Sequence, residues 1–242
     1  MVMDKSEQHI MRAYDRDLEA IQAQIMKMGG LVESAILDAA EALATRDEEL
    51  AEKVRNSDRA IDELELIIQQ QAALTIAERQ PMAFDLRTIL AVMKIASNLE
   101  RVGDYAKNMA KRTGVLVQMR PVEESNGSVR RMAKMVEVML KDALDSFVQR
   151  DAELAEDVRQ RDLEVDQMYN SLFRNYLTYM MEDPRNIGMC IHVLFCAKNV
   201  ERIGDHATNI AETVYYVVKG SAPEDYRRKG LDEFEPEKKQ DT

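Results

Sequence analysis

The chain has 242 residues, 45% of them hydrophobic, and a formal net charge of -11. That length can enclose one large core or two ordinary ones, and so acidic a balance excludes nucleic acid or an anionic membrane surface as a general partner. Trp is absent, Pro and Gly are few, and Ala, Leu, Glu, Lys and Met abound, which favours helix over sheet.

From about Met11 to Ala44 apolar residues recur at helical spacing: Leu18, Ile21, Ile25, Met28, Val32, Ala35, Ala39 and Ala42. Gly29-Gly30 should cost this first helix about 2 kcal/mol relative to alanines. The stripe keeps phase across the pair, so it reads as a bend or a close-packing point. Thr45-Arg46-Asp47 makes a turn, with Asp47 placed to cap the second helix. That helix, about Glu48 to Arg79, buries Leu50, Val54, Ile61, Leu64 and Ile68 and ends at Gln80-Pro81.

The third helix runs from about Asp85 to Val117. Leu86, Leu90, Met93, Ser97, Glu100 and Asp104 lie in one row at 4-3-4-3-4 spacing, as a core seam would. An acidic pair on a leucine seam is expected on that reading. Arg120 to Ser128 is turn-rich and links to a second half. Three more helices are expected there: about Val129 to Val148, Asp151 to Met181 and Arg185 to Val218. Cys190 and Cys196, six apart on the last of these, match neither a zinc pair nor a redox motif and read as buried reduced thiols, which fits a cytosolic compartment. From about Lys219 the chain is charged and without periodicity, as in a loose tail.

The second half repeats the first. Asn98–Ala110 (NLERVGDYAKNMA) returns as Asn199–Ala211 (NVERIGDHATNIA), identical at eight of thirteen positions. Arg46–Asp62 matches Arg150–Asp166 at ten of seventeen, and Pro184 answers Pro81. Repeats of this size are small domains, and three long helices with short connections pack as antiparallel neighbours. The expected fold is all-α: two tandem antiparallel three-helix bundles, 11–120 and 129–218, with the tail at 219–242.

The repeat also duplicates carboxylate pairs at one-turn spacing, Asp58/Asp62 with Glu100/Asp104 and Asp162/Asp166 with Glu201/Asp205. If facing pairs converge, four anions meet, which demands bound cations or partial protonation. Oxygen-only ligands suit hard ions such as Mg, Mn, Fe or Ca. The plainer alternative is ion pairing with Arg59, Arg101, Lys107, Arg161 or Arg202. His206 stands where the other copy has Tyr105, so it is not expected as an essential ligand. No apolar run reaches the roughly 18 residues of a membrane span, and Met1–Gln8 does not read as a signal peptide. A soluble cytoplasmic chain, without direct membrane insertion, is expected.

The duplicated E-R-[VI]-G-D motif, the paired carboxylates and the Met-Gly-Gly of Met28–Gly30 resemble the PhoU family of bacterial phosphate-transport accessory proteins. The resemblance covers about Met11 to Val218. It implies tandem three-helix bundles with metal ions at Asp58, Asp62, Glu100, Asp104 and their repeat mates. It also implies a cytoplasmic negative regulator of phosphate uptake and of the phosphate-starvation response. Such a protein links the ATPase subunit of the phosphate ABC transporter to a phosphate-sensing histidine kinase; a homodimer and a monomer both stay open. The competing class is a carboxylate-bridged di-metal enzyme. Such four-helix sites need Glu-x-x-His elements, and none of the three histidines has a Glu three residues before it. The expectation is therefore an adaptor with no catalysis of its own.

Overall fold

The computed structural model describes residues 5–120 and 126–223. Nearly all of the expected tail, and residues 121–125 of the expected link, lie outside these. Within them the chain forms α1 (Lys5–Thr45), α2 (Glu48–Arg79), α3 (Phe84–Leu116), α4 (Asn126–Gln149), α5 (Ala152–Glu182), a 3₁₀ turn (Pro184–Asn186) and α6 (Ile187–Lys219). The fold is the expected pair of three-helix units, α1–α3 and α4–α6, and no strand occurs among the described residues.

Local chemistry sets the joints. Asp47 accepts the amide of Leu50 at 2.9 Å, and Asp151 accepts those of Glu153 and Leu154, so each middle helix starts on a carboxylate cap. The residue before each cap, Arg46 or Arg150, takes a left-handed conformation with φ of 59° or 54°. Non-glycine residues seldom adopt it. Here it turns the chain sharply enough for α2 and α5 to fold straight back. Gln80, also left-handed at φ 48°, ends α2 just before Pro81.

The stripe expected on α1 is buried at all eight positions. α1 stays helical through Gly29-Gly30, so the pair does not break it. Gly29 is a contact point: a Cβ there would stand 2.4 Å from Cδ1 of Leu144 in α4, whereas one on Gly30 would meet nothing within 4 Å.

The helix contacts define two layers. α2, α3, α6 and α5 lie side by side in that order, with α1 and α4 packed together behind them. α2 touches only the first half and α5 only the second, whereas α3–α6 and α1–α4 join the halves. One apolar cluster runs through both, from Ile21 to Val214. The two bundles therefore share a core, and their front layer leaves two outer seams, α2–α3 and α5–α6.

Candidate metal centre

Glycine allows the helices of each seam to approach. On α3 a Cβ at Gly103 would press on Ile61 Cδ1 at 3.0 Å and come within 3.8 Å of Asp58 Oδ1. On α6 the equivalent Gly204 faces Asp162 Oδ1 at 3.4 Å. Each glycine lies between the Glu and the Asp of its motif, so this contact brings the α2 or α5 pair beside the α3 or α6 pair.

Burial then divides the eight carboxylates. Asp58 and Asp162 point inward and are buried. Glu100, Asp104, Asp166, Glu201 and Asp205 are half-buried along the seam edges, and Asp62 is exposed. This corrects the expected core seam on α3. The row Leu86–Leu90–Met93–Ser97–Glu100–Asp104 flanks the α2–α3 seam at the front face, where Leu90 is 52% exposed. The core of α3 is formed instead by Ile89, Val92, Ile95, Leu99, Val102 and Ala106. Its outer-edge position leaves Glu100 and Asp104 half-buried instead of enclosed in the core.

The two seams are acidic and partly neutralised from within. In the first, the Lys107 ammonium donates to Asp58 and lies 3.6 Å from Asp104. That bond to Asp58, followed by the charges of Asp58, Asp104 and Asp62, holds the Lys107 amine above its ordinary value. Lost hydration, then repulsion from neighbours, raises the carboxyls of Asp62 (next to Asp58) and Glu100 (next to Asp104 and Glu65). In the second seam Lys198 donates to Glu201 Oε1 at 2.7 Å, while Glu201 Oε2 is buried with no hydrogen-bond partner. Burial raises the Glu201 carboxyl despite its lysine. Asp205 and Asp166 are its acidic neighbours.

Each seam thus gathers its own four acids. Among the described residues, though, no three His, Cys, Asp or Glu side chains stand close enough to share an ion. The donor set is all carboxylate oxygen, the chemistry of hard cations. The orphaned Glu201 Oε2 is an acceptor that a cation would satisfy, so the residues fit such an ion in kind. Of the basic side chains expected as plain partners, Lys107 pairs within the site. Arg101 lies 3.7 Å from Glu100, whereas Arg59 binds Glu63 and Arg161 binds Asp142 and Asp157. Arg202 instead lies over the ring of Tyr105, 5.8 Å from its centroid.

Between the seams, where α3 meets α6, the two motifs touch. Asn98 donates its amide to the Lys94 carbonyl at 2.7 Å, which leaves Oδ1 to accept from Nδ1 of His206 at 2.8 Å. His206 packs on Tyr105 at 5.5 Å between ring centroids. Its ring is committed to joining the halves. Burial, followed by Arg101 and Arg202, opposes its protonation, with Asp205 acting the other way. Cys190 and Cys196 are free and buried, as expected, and burial pushes the Cys196 thiol up to about 12.

Lys198 was missed by sequence reasoning. Its three-residue spacing from Glu201 was the available signal, but the repeat conceals it: the equivalent residue in the first half is Ser97, and that of Lys107 is Thr208.

Known proteins share this architecture. The model of the PhoU domain matches twice, over residues 25–113 and 129–214. A phosphate-specific transport system accessory protein PhoU homolog of Rhizobium meliloti (strain 1021) is 48% identical over 224 residues, 93% of this chain and 94% of that protein. One from Caulobacter vibrioides (strain NA1000 / CB15N) is 46% identical over 213 residues, 88% of this chain and 93% of that one. The crystal structure of PhoU from Pseudomonas aeruginosa superposes with a TM-score of 0.83 at 40% identity, covering 86% of this chain and all of that one. That of the phosphate transport system regulatory protein PhoU from Streptococcus pneumoniae gives 0.80 at 29% identity, covering 87% and 99%.

Proposed function

The chain belongs to the PhoU family, and on that premise we propose that it is a metal-binding adaptor that holds phosphate uptake and phosphate-starvation signalling in check. It acts in the cytoplasm, between the ATPase subunit of a phosphate ABC transporter and a phosphate-sensing histidine kinase, and performs no chemistry itself. Membership makes it an accessory protein of phosphate transport. In keeping with a place beside a membrane complex, no helix among the described residues is long and apolar enough to cross a membrane.

The observation that carries the metal-binding part is the duplicated acidic seam on the front layer, with a buried carboxylate oxygen of Glu201 left without a partner. Asp58, Asp62, Glu100 and Asp104 would hold ions in the first seam, and Asp162, Asp166, Glu201 and Asp205 in the second. A bound hard cation would supply positive charge that cancels repulsion along each seam and fixes the spacing of its two helices. Lys107 and Lys198 give the same kind of compensation from one side only. They keep the metal-free seams from being severely frustrated and must yield their oxygens when an ion enters. Mg, Mn, Fe and Ca all fit the donor set.

Deleting the gene tests the regulatory role. Phosphate-uptake genes should switch on even with abundant phosphate, and the intact gene should restore repression. Unchanged expression in the deletion strain would contradict the proposal. A copy carrying amides at Glu100, Asp104, Glu201 and Asp205 should fold but fail to restore repression if the seams matter for signalling.

A further inference from the structure

Each seam holds a lysine, but the repeat does not put it in the same place. In the first seam Lys107 stands about one turn beyond Asp104 on α3 and reaches across to α2. Its ammonium donates to Asp58 and lies 3.6 Å from Asp104, so it ties carboxylates of both helices together. The Asp58 side chain is only 5% exposed. On α6 the equivalent of Lys107 is Thr208. That residue is fully buried and uncharged, and its hydroxyl donates to the Gly204 carbonyl at 3.0 Å. The lysine of the second seam is Lys198, where the first half has Ser97. Lys198 is 41% exposed and binds Glu201, three residues along its own helix, at Oε1. It leaves Oε2 of Glu201 buried without a hydrogen-bond partner.

On the premise that the seams bind metal, we infer that Lys107 is the resident cation of the first seam. A metal ion must displace it, so the second seam fills at lower metal concentration. One lysine per seam gives no ranking by count; placement decides. An ion entering the first seam takes Asp58 and Asp104 from an ammonium that already bridges α2 and α3. The lysine then gives up a charge-assisted hydrogen bond to a buried carboxylate, which is among the strong kinds. In the second seam the ion meets an open Glu201 oxygen. Lys198 gives up a pair within one helix, at a half-open site where such pairs contribute little, and its flexible stem can carry the ammonium to water.

Calorimetric titration of the metal-stripped full chain with Mn²⁺ at pH 7.5 tests this. Two classes of site are expected, at least about tenfold apart in affinity, the lower end of what one hydrogen bond to a charged group contributes. Glu201→Gln with Asp205→Asn should abolish the tighter class, and Glu100→Gln with Asp104→Asn the weaker. Lys107→Thr, which installs the residue of the second half, should close the gap by tightening the weaker class alone. Should threonine prevent folding, seen as lost helical circular dichroism, Lys107→Gln keeps a donor for Asp58 without the charge and should close the gap likewise. Lys107→Arg retains the charge and should preserve it. If neither seam takes up Mn²⁺, metal binding itself fails and the inference falls with it. Uptake at equal affinity, a first seam that fills before the second, a gap that survives loss of the Lys107 charge, or one that Lys107→Arg also closes would overturn the inference alone.

Discussion

At the residue scale, the acidic seams combine one buried carboxylate with three at the margin, and their energetics stem from that split. Asp58 is buried and takes the Lys107 ammonium; removing either partner would strand a charge where hydration is poor. Glu100 is the opposite case. It sits at the seam edge among Asp104, Glu65 and Asp62, and its carboxyl is held above the ordinary value first by lost hydration and then by those neighbours. A carboxyl raised in the folded state binds its proton more tightly there than in the unfolded chain. Its favourable contribution is present at low pH and is lost as pH rises through the raised value. Glu100→Gln should therefore stabilise the metal-free protein at pH 7.5, by about 0.5 kcal/mol for relieved like-charge contacts. The gain should fade as pH falls through the carboxylate range. Urea midpoints of wild type and variant at several pH values check this; a variant less stable at pH 7.5 would refute it.

Among elements, α3 was the hardest to read and α1 the easiest. The apolar stripe of α1 is its core stripe: all eight of its residues are buried. α3 lies between α2 and α6 with α1 behind it, so its buried arc is wide. Rows at three- and four-residue spacing then occur both at its centre and at its edge. Leu90 and Ile89 are adjacent in sequence, yet one is 52% exposed and the other fully buried. Periodicity alone cannot choose between them. The contact of Asn98 with His206 was equally illegible, since nothing within one helix says which other helix it will meet.

The glycines of α1 make a sharper element-scale prediction. Both lie in regular helix, where alanine is favoured by about 1 kcal/mol. Gly30 has open space and Gly29 has the buried Leu144 against it. Gly30→Ala should raise the urea midpoint by roughly that propensity difference. Gly29→Ala should lower it, because overpacking at the α1–α4 crossing costs about 1–3 kcal/mol. Equal gains from both substitutions would mean that Leu144 yields freely and the crossing is loose.

For the whole molecule, the duplicated motif made the two-unit fold and its acidic pairs legible from the amino acids alone. Lys198 was not, because it breaks the repeat: its equivalent in the first half is Ser97. Comparing the halves finds what they share and passes over what distinguishes them. The shared part is the proposed cation-binding frame.

Elemental analysis of the protein, purified without chelators or an affinity tag, tests the cation-binding frame most directly. The account predicts a hard metal at one or more equivalents per half. Amides at Glu100 and Asp104 should remove the first seam's share and leave the second's. Metal content at background in the wild-type protein, or content unmoved by those amides, would contradict it.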